Sequence, residues 1–250
     1  NVKKSTINLL KKDKENPFNI SYEKWRKLVY LNHPYAYNSS GYEKDILKIT
    51  HDDILSEHNK LKNRDRYLIS NNSKFYNNNI GSTNKQTFQK FNYILSELDN
   101  SKRYVSIHQK SNQIILMIGN QTCPQSSFEY LPLKVLESHL SFGMSSVLFK
   151  LFREKNGLTY DVGVFNPSRK NNSPFLIYLS VSNKNALLAF QILSELWKKL
   201  LSSTIPEKEI NIAKVKLKSS FLISNQTLDE ILHRRIQLIG YDLDPDFDRN

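Results

Sequence analysis

Apolar residues fall at helical spacing through the first hundred positions and shift to strand-like runs after residue 100. Residues 20–31 place Trp25, Leu28 and Val29 on one face, which predicts a helix closed by His33-Pro34-Tyr35, because the residue before a proline is pushed out of the α region. Thr50-His51-Asp52-Asp53 opens a second helix, with Thr50 as cap and two aspartates at the positive helix end, running to about Lys62. Arg66–Ser70 reads as a short strand, Asn71–Gln86 as a polar, Asn-rich loop, and Thr87–Leu98 as a helix through Phe88, Phe91, Ile94, Leu95 and Leu98. After Asp99-Asn100-Ser101, the Val- and Ile-rich runs Tyr104–Gln109 and Gln113–Gly119 predict two strands about a Lys110-Ser111-Asn112 turn.

Helices are expected next at Phe128–Leu140 and Ser145–Lys155, the second stopped by Gly157 in a left-handed conformation. Strands follow at Thr159–Phe165 and Pro174–Val181, then helices at Asn185–Leu201, Thr204–Ser219 and Gln226–Ile239. Thr204 and Glu207 have the spacing of a capping box. Strands grouped with helices, not alternating singly with them, indicate an α+β fold with helices packed on one face of a sheet. The change at residue 100 divides the chain into 1–100 and 101–250.

Composition narrows the classes. Hydrophobic residues at 39% and charged residues at 24% can build a core, which excludes a wholly disordered chain. The longest apolar run, around Ile114–Ile118, is strand-sized and far short of the ~20 residues that span a bilayer. Asn1-Val2-Lys3-Lys4 is followed by no apolar segment of the secretory kind, and the lone Cys123 forms no internal disulfide framework or thiolate-rich zinc site. A cytoplasmic or organellar setting is therefore expected over secretion. The net charge of +12 raises nucleic acid as a partner. Yet residues 1–100 hold 17 basic against 11 acidic residues and 101–250 hold 19 against 13, so each part carries +6 and no basic stripe stands out. A solvated basic surface is the preferred reading and nucleic-acid binding the alternative.

Motif chemistry is sparse. His33, His51, His58, His108, His139 and His233 include no pair four residues apart, so neither His-Glu-x-x-His nor its inverse is present. Glu57-His58 is half of the inverted motif, but Ile54 stands where the second histidine would be needed. There is no Gly-x-Ser-x-Gly elbow, phosphate loop or Cys-x-x-Cys.

One segment stands apart, Gly143-Met144-Ser145-Ser146-Val147-Leu148-Phe149-Lys150-Leu151-Phe152-Arg153-Glu154-Lys155-Asn156-Gly157-Leu158-Thr159-Tyr160. Taken physically it is a small-residue turn, an amphipathic helix with Leu148, Phe149 and Phe152 facing a core, a glycine stop and a strand start. Arg153 suits the negative end of the helix, and Tyr160 is then an ordinary strand aromatic. The segment also resembles the second-domain signature of the pitrilysin/insulinase and mitochondrial-processing-peptidase family of zinc metallopeptidases: Gly143, Ser145, Ser146, Leu148, Phe149, Arg153, Glu154, Lys155, Gly157, Leu158 and Tyr160 match, and Val147 replaces an arginine. Asn32-His33-Pro34-Tyr35, Gly41, Ile49-Thr50-His51-Asp52-Asp53-Ile54 and the strand at Tyr67 look like the close of that family's first domain.

The resemblance implies repeated α+β domains around a chamber, with zinc held on the first domain by His-x-x-Glu-His and a later Glu. That set is absent here, and the later Glu would fall at or before residue 1. The chain is thus expected to be part of a longer protein, with the zinc ligands outside it, no hydrolysis by this part alone, and a second domain continuing past residue 250. By the same match, Arg153 and Tyr160 would contact the scissile carbonyl of a peptide substrate. The implied partners are a peptide and an upstream zinc-bearing domain or partner subunit, and a dimer is compatible with this. The alternative within the family is a non-catalytic scaffold subunit.

Overall fold

The computed structural model describes residues 2–31, 33–62, 104–109 and 111–248, with Tyr160 described by its backbone alone. The expected strand Arg66–Ser70, loop Asn71–Gln86 and helix Thr87–Leu98 lie outside the described residues.

Three antiparallel strands, β1 (Gln113–Gln121), β2 (Thr159–Phe165) and β3 (Pro174–Ser182), form a sheet in the order β1-β3-β2. The central β3 is buried on both faces, because successive side chains point opposite ways. Phe175, Ile177, Leu179 and Val181 join a core with Leu140, Leu148, Phe152, Ala189 and Leu193. Leu176 and Tyr178 face the other way, onto Trp25, Val29, Tyr30 and Ala36. The first face is covered by α5 (Tyr130–Ser141), a π-helical turn (Phe149–Lys155) and α6 (Ala186–Ser202). α7 (Glu207–Ile223) packs on α5, and α8 (Leu228–Gly240) follows it. The α+β expectation holds, and the structure adds a cover for the second face: α2 (Pro17–Tyr30) from the N-terminal segment. α1 (Val2–Asp13), α3 (Glu43–Lys48) and α4 (His51–Lys62) complete that segment. None of the described helices is long and apolar enough to cross a membrane.

Local chemistry sets the ends of these elements. α2 starts three residues earlier than its apolar spacing indicates, because Asn16 Oδ1 accepts the Phe18 N–H at 2.9 Å and Pro17 occupies the first turn. Thr50 does cap α4: Asp53 N–H donates to Thr50 Oγ1 (3.2 Å), while the Asp53 carboxylate accepts the Thr50 N–H (2.8 Å). The Thr204–Glu207 box does not form. Pro206 disfavours helical backbone at Ile205, so α7 opens at Glu207 with no side-chain cap. The box occurs instead at Thr227 and Glu230, where Thr227 N–H meets Glu230 Oε2 at 2.9 Å and Glu230 N–H meets Thr227 Oγ1 at 3.3 Å.

Tyr104–Gln109, expected as a strand, has no regular structure. Its apolar side chains are exposed (Tyr104 88%, Val105 50%), and strand-like composition without a ladder partner among the described residues makes no strand.

The polar connection from β2 to β3, which includes Pro167-Ser168-Arg169-Lys170-Asn171-Asn172, is held from three directions. Arg169 Nη2 donates to Tyr22 OH (3.1 Å) and its guanidinium lies 4.5 Å from the centre of the Tyr35 ring. Tyr30 OH donates to Asn172 O (3.0 Å). From α5, Tyr130 OH meets Ser168 Oγ at 2.5 Å and Lys134 Nζ donates to Asn166 O at 2.6 Å. From the end of α8, Tyr241 OH donates to Ser168 O (3.3 Å), and Lys170 pairs with Asp242 (2.9 Å). This one loop ties α2, α5, the sheet and the end of α8 together.

His33 sits at the edge of that cluster, 4% exposed, its Nδ1 accepting the Tyr35 N–H at 3.1 Å. Burial, and then the charge of Arg169, hold its pKa below the ordinary 6.5. The unfolded chain therefore binds this proton more readily than the folded one. The stabilisation is complete above pH 6.5 and is lost as pH falls through the lower folded value. Melting temperature should thus fall between pH 7.5 and 5.5, and His33→Asn, which keeps a cap acceptor without titrating, should flatten that slope. Equal slopes in the two proteins would contradict this.

Candidate functional site

The Gly143–Tyr160 segment is built around a buried anchor. Gly143 takes a φ of +76°, which L side chains rarely adopt, and its carbonyl accepts the N–H of buried Ser146 (3.1 Å). A short α-helical start at Val147-Leu148 passes into the π-helical turn, so the continuous α-helix expected over Ser145–Lys155 is not formed. Such insertions widen the backbone hydrogen-bonding pattern and are frequent at functional sites. Leu148 and Phe152 are fully buried, which fixes the turn to the core.

That anchorage leaves Arg153, the next residue, on the outside. It is exposed, with its guanidinium 4.9 Å from the centre of the half-buried Phe149 ring. A cation over an aromatic face is attracted by the ring quadrupole, which restricts an otherwise mobile side chain. The turn then closes as its residues require. Asn156 Nδ2 donates to Leu151 O (2.7 Å), Gly157 adopts φ +57° with its N–H on Arg153 O (3.1 Å), and Leu158 N–H donates to Phe152 O (2.8 Å).

Three residues after that glycine comes Tyr160. Thr159 pairs with Val181 and Asp161 with Ser180, so two steps along β2 match one along β3 and Tyr160 is the extra residue of a β-bulge. The buried Thr159 hydroxyl stitches the bulge: it accepts the Asp161 N–H (3.1 Å) and lies against the carbonyls of Asp161 and Ser180. Bulges bend a strand and re-aim its residues, and they concentrate beside active sites. Arg153 and the backbone of Tyr160 thus stand at the two ends of one glycine-closed turn. The family resemblance pointed to both positions, but nothing in the sequence signalled the π-helical widening or the bulge.

The other candidate, Glu57-His58, lies on the exposed face of α4, where Glu57 pairs with Lys60 (2.5 Å). Among the described residues no group of three or more His, Cys, Asp or Glu could hold a metal ion, so this donor set does not fit zinc.

Comparison with known proteins agrees with this architecture. The profile of the peptidase M16 inactive domain matches residues 67–217. An uncharacterized zinc protease of Rickettsia felis is 27% identical over 220 residues, and one of Rickettsia bellii is 25% identical over 218; each alignment covers 85% of this chain and 52% of the relative. The chain therefore spans about half the length of these curated relatives. Among solved structures, a peptidase M16 inactive domain from Pseudomonas fluorescens superposes with a TM-score of 0.76 at 21% identity, over 99% of this chain and 61% of that one. A protease from Helicobacter pylori follows at 0.73 and 17% identity, over 96% and 61%. A chain of Complex III2 from Candida albicans, at 0.71 and 12% identity over 96% and 60%, shares the fold.

Proposed function

The chain belongs to the peptidase M16 inactive-domain family, and on that premise we propose that it is the substrate-binding part of a zinc-dependent metallo-endopeptidase that acts on unstructured peptides. The observation that carries the reading is the exposed Arg153 guanidinium on a turn anchored by Phe152, one glycine-closed turn from the bulge at Tyr160. A guanidinium and a phenol are fixed donors of the kind that stabilise an oxyanion as water adds to an amide carbonyl. In this reading Arg153 and Tyr160 hold the scissile carbonyl and contribute nothing to binding the metal. Zinc, which the names of the Rickettsia relatives carry, would be held by another part of the parent and would supply the nucleophilic water. Residues 1–100 would then close the preceding domain and 101–250 belong to the second.

The test is Tyr160→Phe in the full-length parent, assayed on a short unstructured peptide. Removing one hydrogen bond to a charged group should lower kcat/KM by about tenfold or more. A change within about twofold would remove Tyr160 from the site. The second reading is a non-catalytic scaffold subunit of the same family. It predicts a parent without zinc by elemental analysis that associates stably with an active partner.

A further inference from the structure

Three helical segments turn one face each toward a common space that no helix among the described residues fills. α7 is pinned to α5 by the buried Ser138 hydroxyl, which donates to Ala213 O at 2.9 Å. Lys216 Nζ adds bonds to Phe142 O (3.1 Å) and Ser145 Oγ (2.8 Å). α6 is seated on the sheet through Ala189 and Leu193. Between α6, α7 and the π-helical turn lies a cleft of about 1060 Å³. Its walls follow helical spacing, at Ile192, Glu195, Leu196 and Lys199 on α6 and at Lys208, Ile212, Ala213 and Lys216 on α7.

The apolar side chains here are not all satisfied by the fold, since Ile212 is 48% exposed. The charge around them is unbalanced: five lysines line the cleft against three glutamates. Glu209 lies 3.5 Å from His139, whereas the ammonium groups of Lys150, Lys155, Lys199 and Lys208 form no ion pair among the described residues. A helix about 10 Å across would fill this volume with roughly nine residues, or two and a half turns.

We infer that the cleft is a docking site for an amphipathic helix of a partner polypeptide, with an apolar stripe against Leu151, Leu196 and Ile212 and acidic residues on its flanks. Apolar anchors at i, i+3, i+4 and i+7 give such a groove its affinity, and the flanking charge selects the partner. Arg153 rides on the same turn but is not part of the lining, so this site is separate from the proposed peptide-binding face and stands or falls without it.

The experiment uses the full-length parent and three fluorescein-labelled fourteen-residue peptides, followed by anisotropy. One carries Leu at i, i+3, i+4 and i+7 with Glu at the flanking positions, the second has Lys for Glu, and the third is the first with its order scrambled. The acidic peptide should bind at least tenfold more tightly than either other. Lys199→Glu with Lys208→Glu should reverse the charge preference, and Ile212→Asp, at an exposed position, should abolish binding with an unchanged circular dichroism spectrum. The inference is overturned if the acidic peptide does not bind, if the three peptides bind alike, or if either set of substitutions leaves its affinity unchanged. A single-stranded oligonucleotide that displaces the acidic peptide and ignores Ile212→Asp would reassign the lysines to a polyanion and overturn it equally.

Discussion

Arg153→Ala in the full-length parent is expected to lower kcat/KM for an unstructured peptide by about 100-fold while barely changing stability. Removing one donor from an oxyanion site costs on the order of 100-fold in rate. Arg153 is exposed and its guanidinium lies 4.9 Å from the centre of the Phe149 ring, an interaction worth roughly 0.5–1 kcal/mol at such a site. Melting temperature should therefore stay within about 3 °C. Arg153→Lys keeps the charge and loses the planar fork, so it should recover part of the rate if charge dominates and little if the fork does. A loss confined to twofold, under about half a kcal/mol, would mean that Arg153 is a surface residue and no more.

The adjacent residue should behave in the opposite way. Phe152→Ala is expected to cost about 3–5 kcal/mol and to lower Tm by roughly 10 °C, because Phe152 is fully buried in the core that joins the π-helical turn to α6 and the sheet. Thermal and urea unfolding both read this directly. A cost under about 1 kcal/mol would mean that the turn is held by its backbone closure at Gly157 and not by this ring. Residues 152 and 153 thus form a matched pair, the first expected to carry stability and the second activity.

Much of this was legible in the residues themselves. The signature from Gly143 to Tyr160 announced a turn, an apolar helical face, a glycine stop and a strand, and each is present. The π-helical widening was not legible, since Phe149, Phe152 and Arg153 have the same apolar and polar order in either kind of helix. The bulge at Tyr160 depends on the register with β3, a non-local fact that no local pattern encodes. The stripe Trp25, Leu28, Val29 showed that α2 buries a face, but not that the face covers the second side of the sheet, nor that Tyr30 would be its most buried member. Thr204 and Glu207 have the capping-box spacing but Pro206 lies between them and blocks the box, while Thr227 and Glu230 carry the same spacing unobstructed. Nothing in the polar run 167–172 marks the loop after Phe165 as a contact point. Its role as a hub rests on tyrosines and an arginine that meet from positions far apart in the chain.

The most direct test of the central claim is a crystal structure of the full-length parent with an unstructured peptide bound. Arg153 is predicted to place a guanidinium nitrogen about 3 Å from a peptide carbonyl oxygen, with Tyr160 on the same peptide. A peptide seated against another surface, with Arg153 still resting on Phe149 in solvent, would contradict the account.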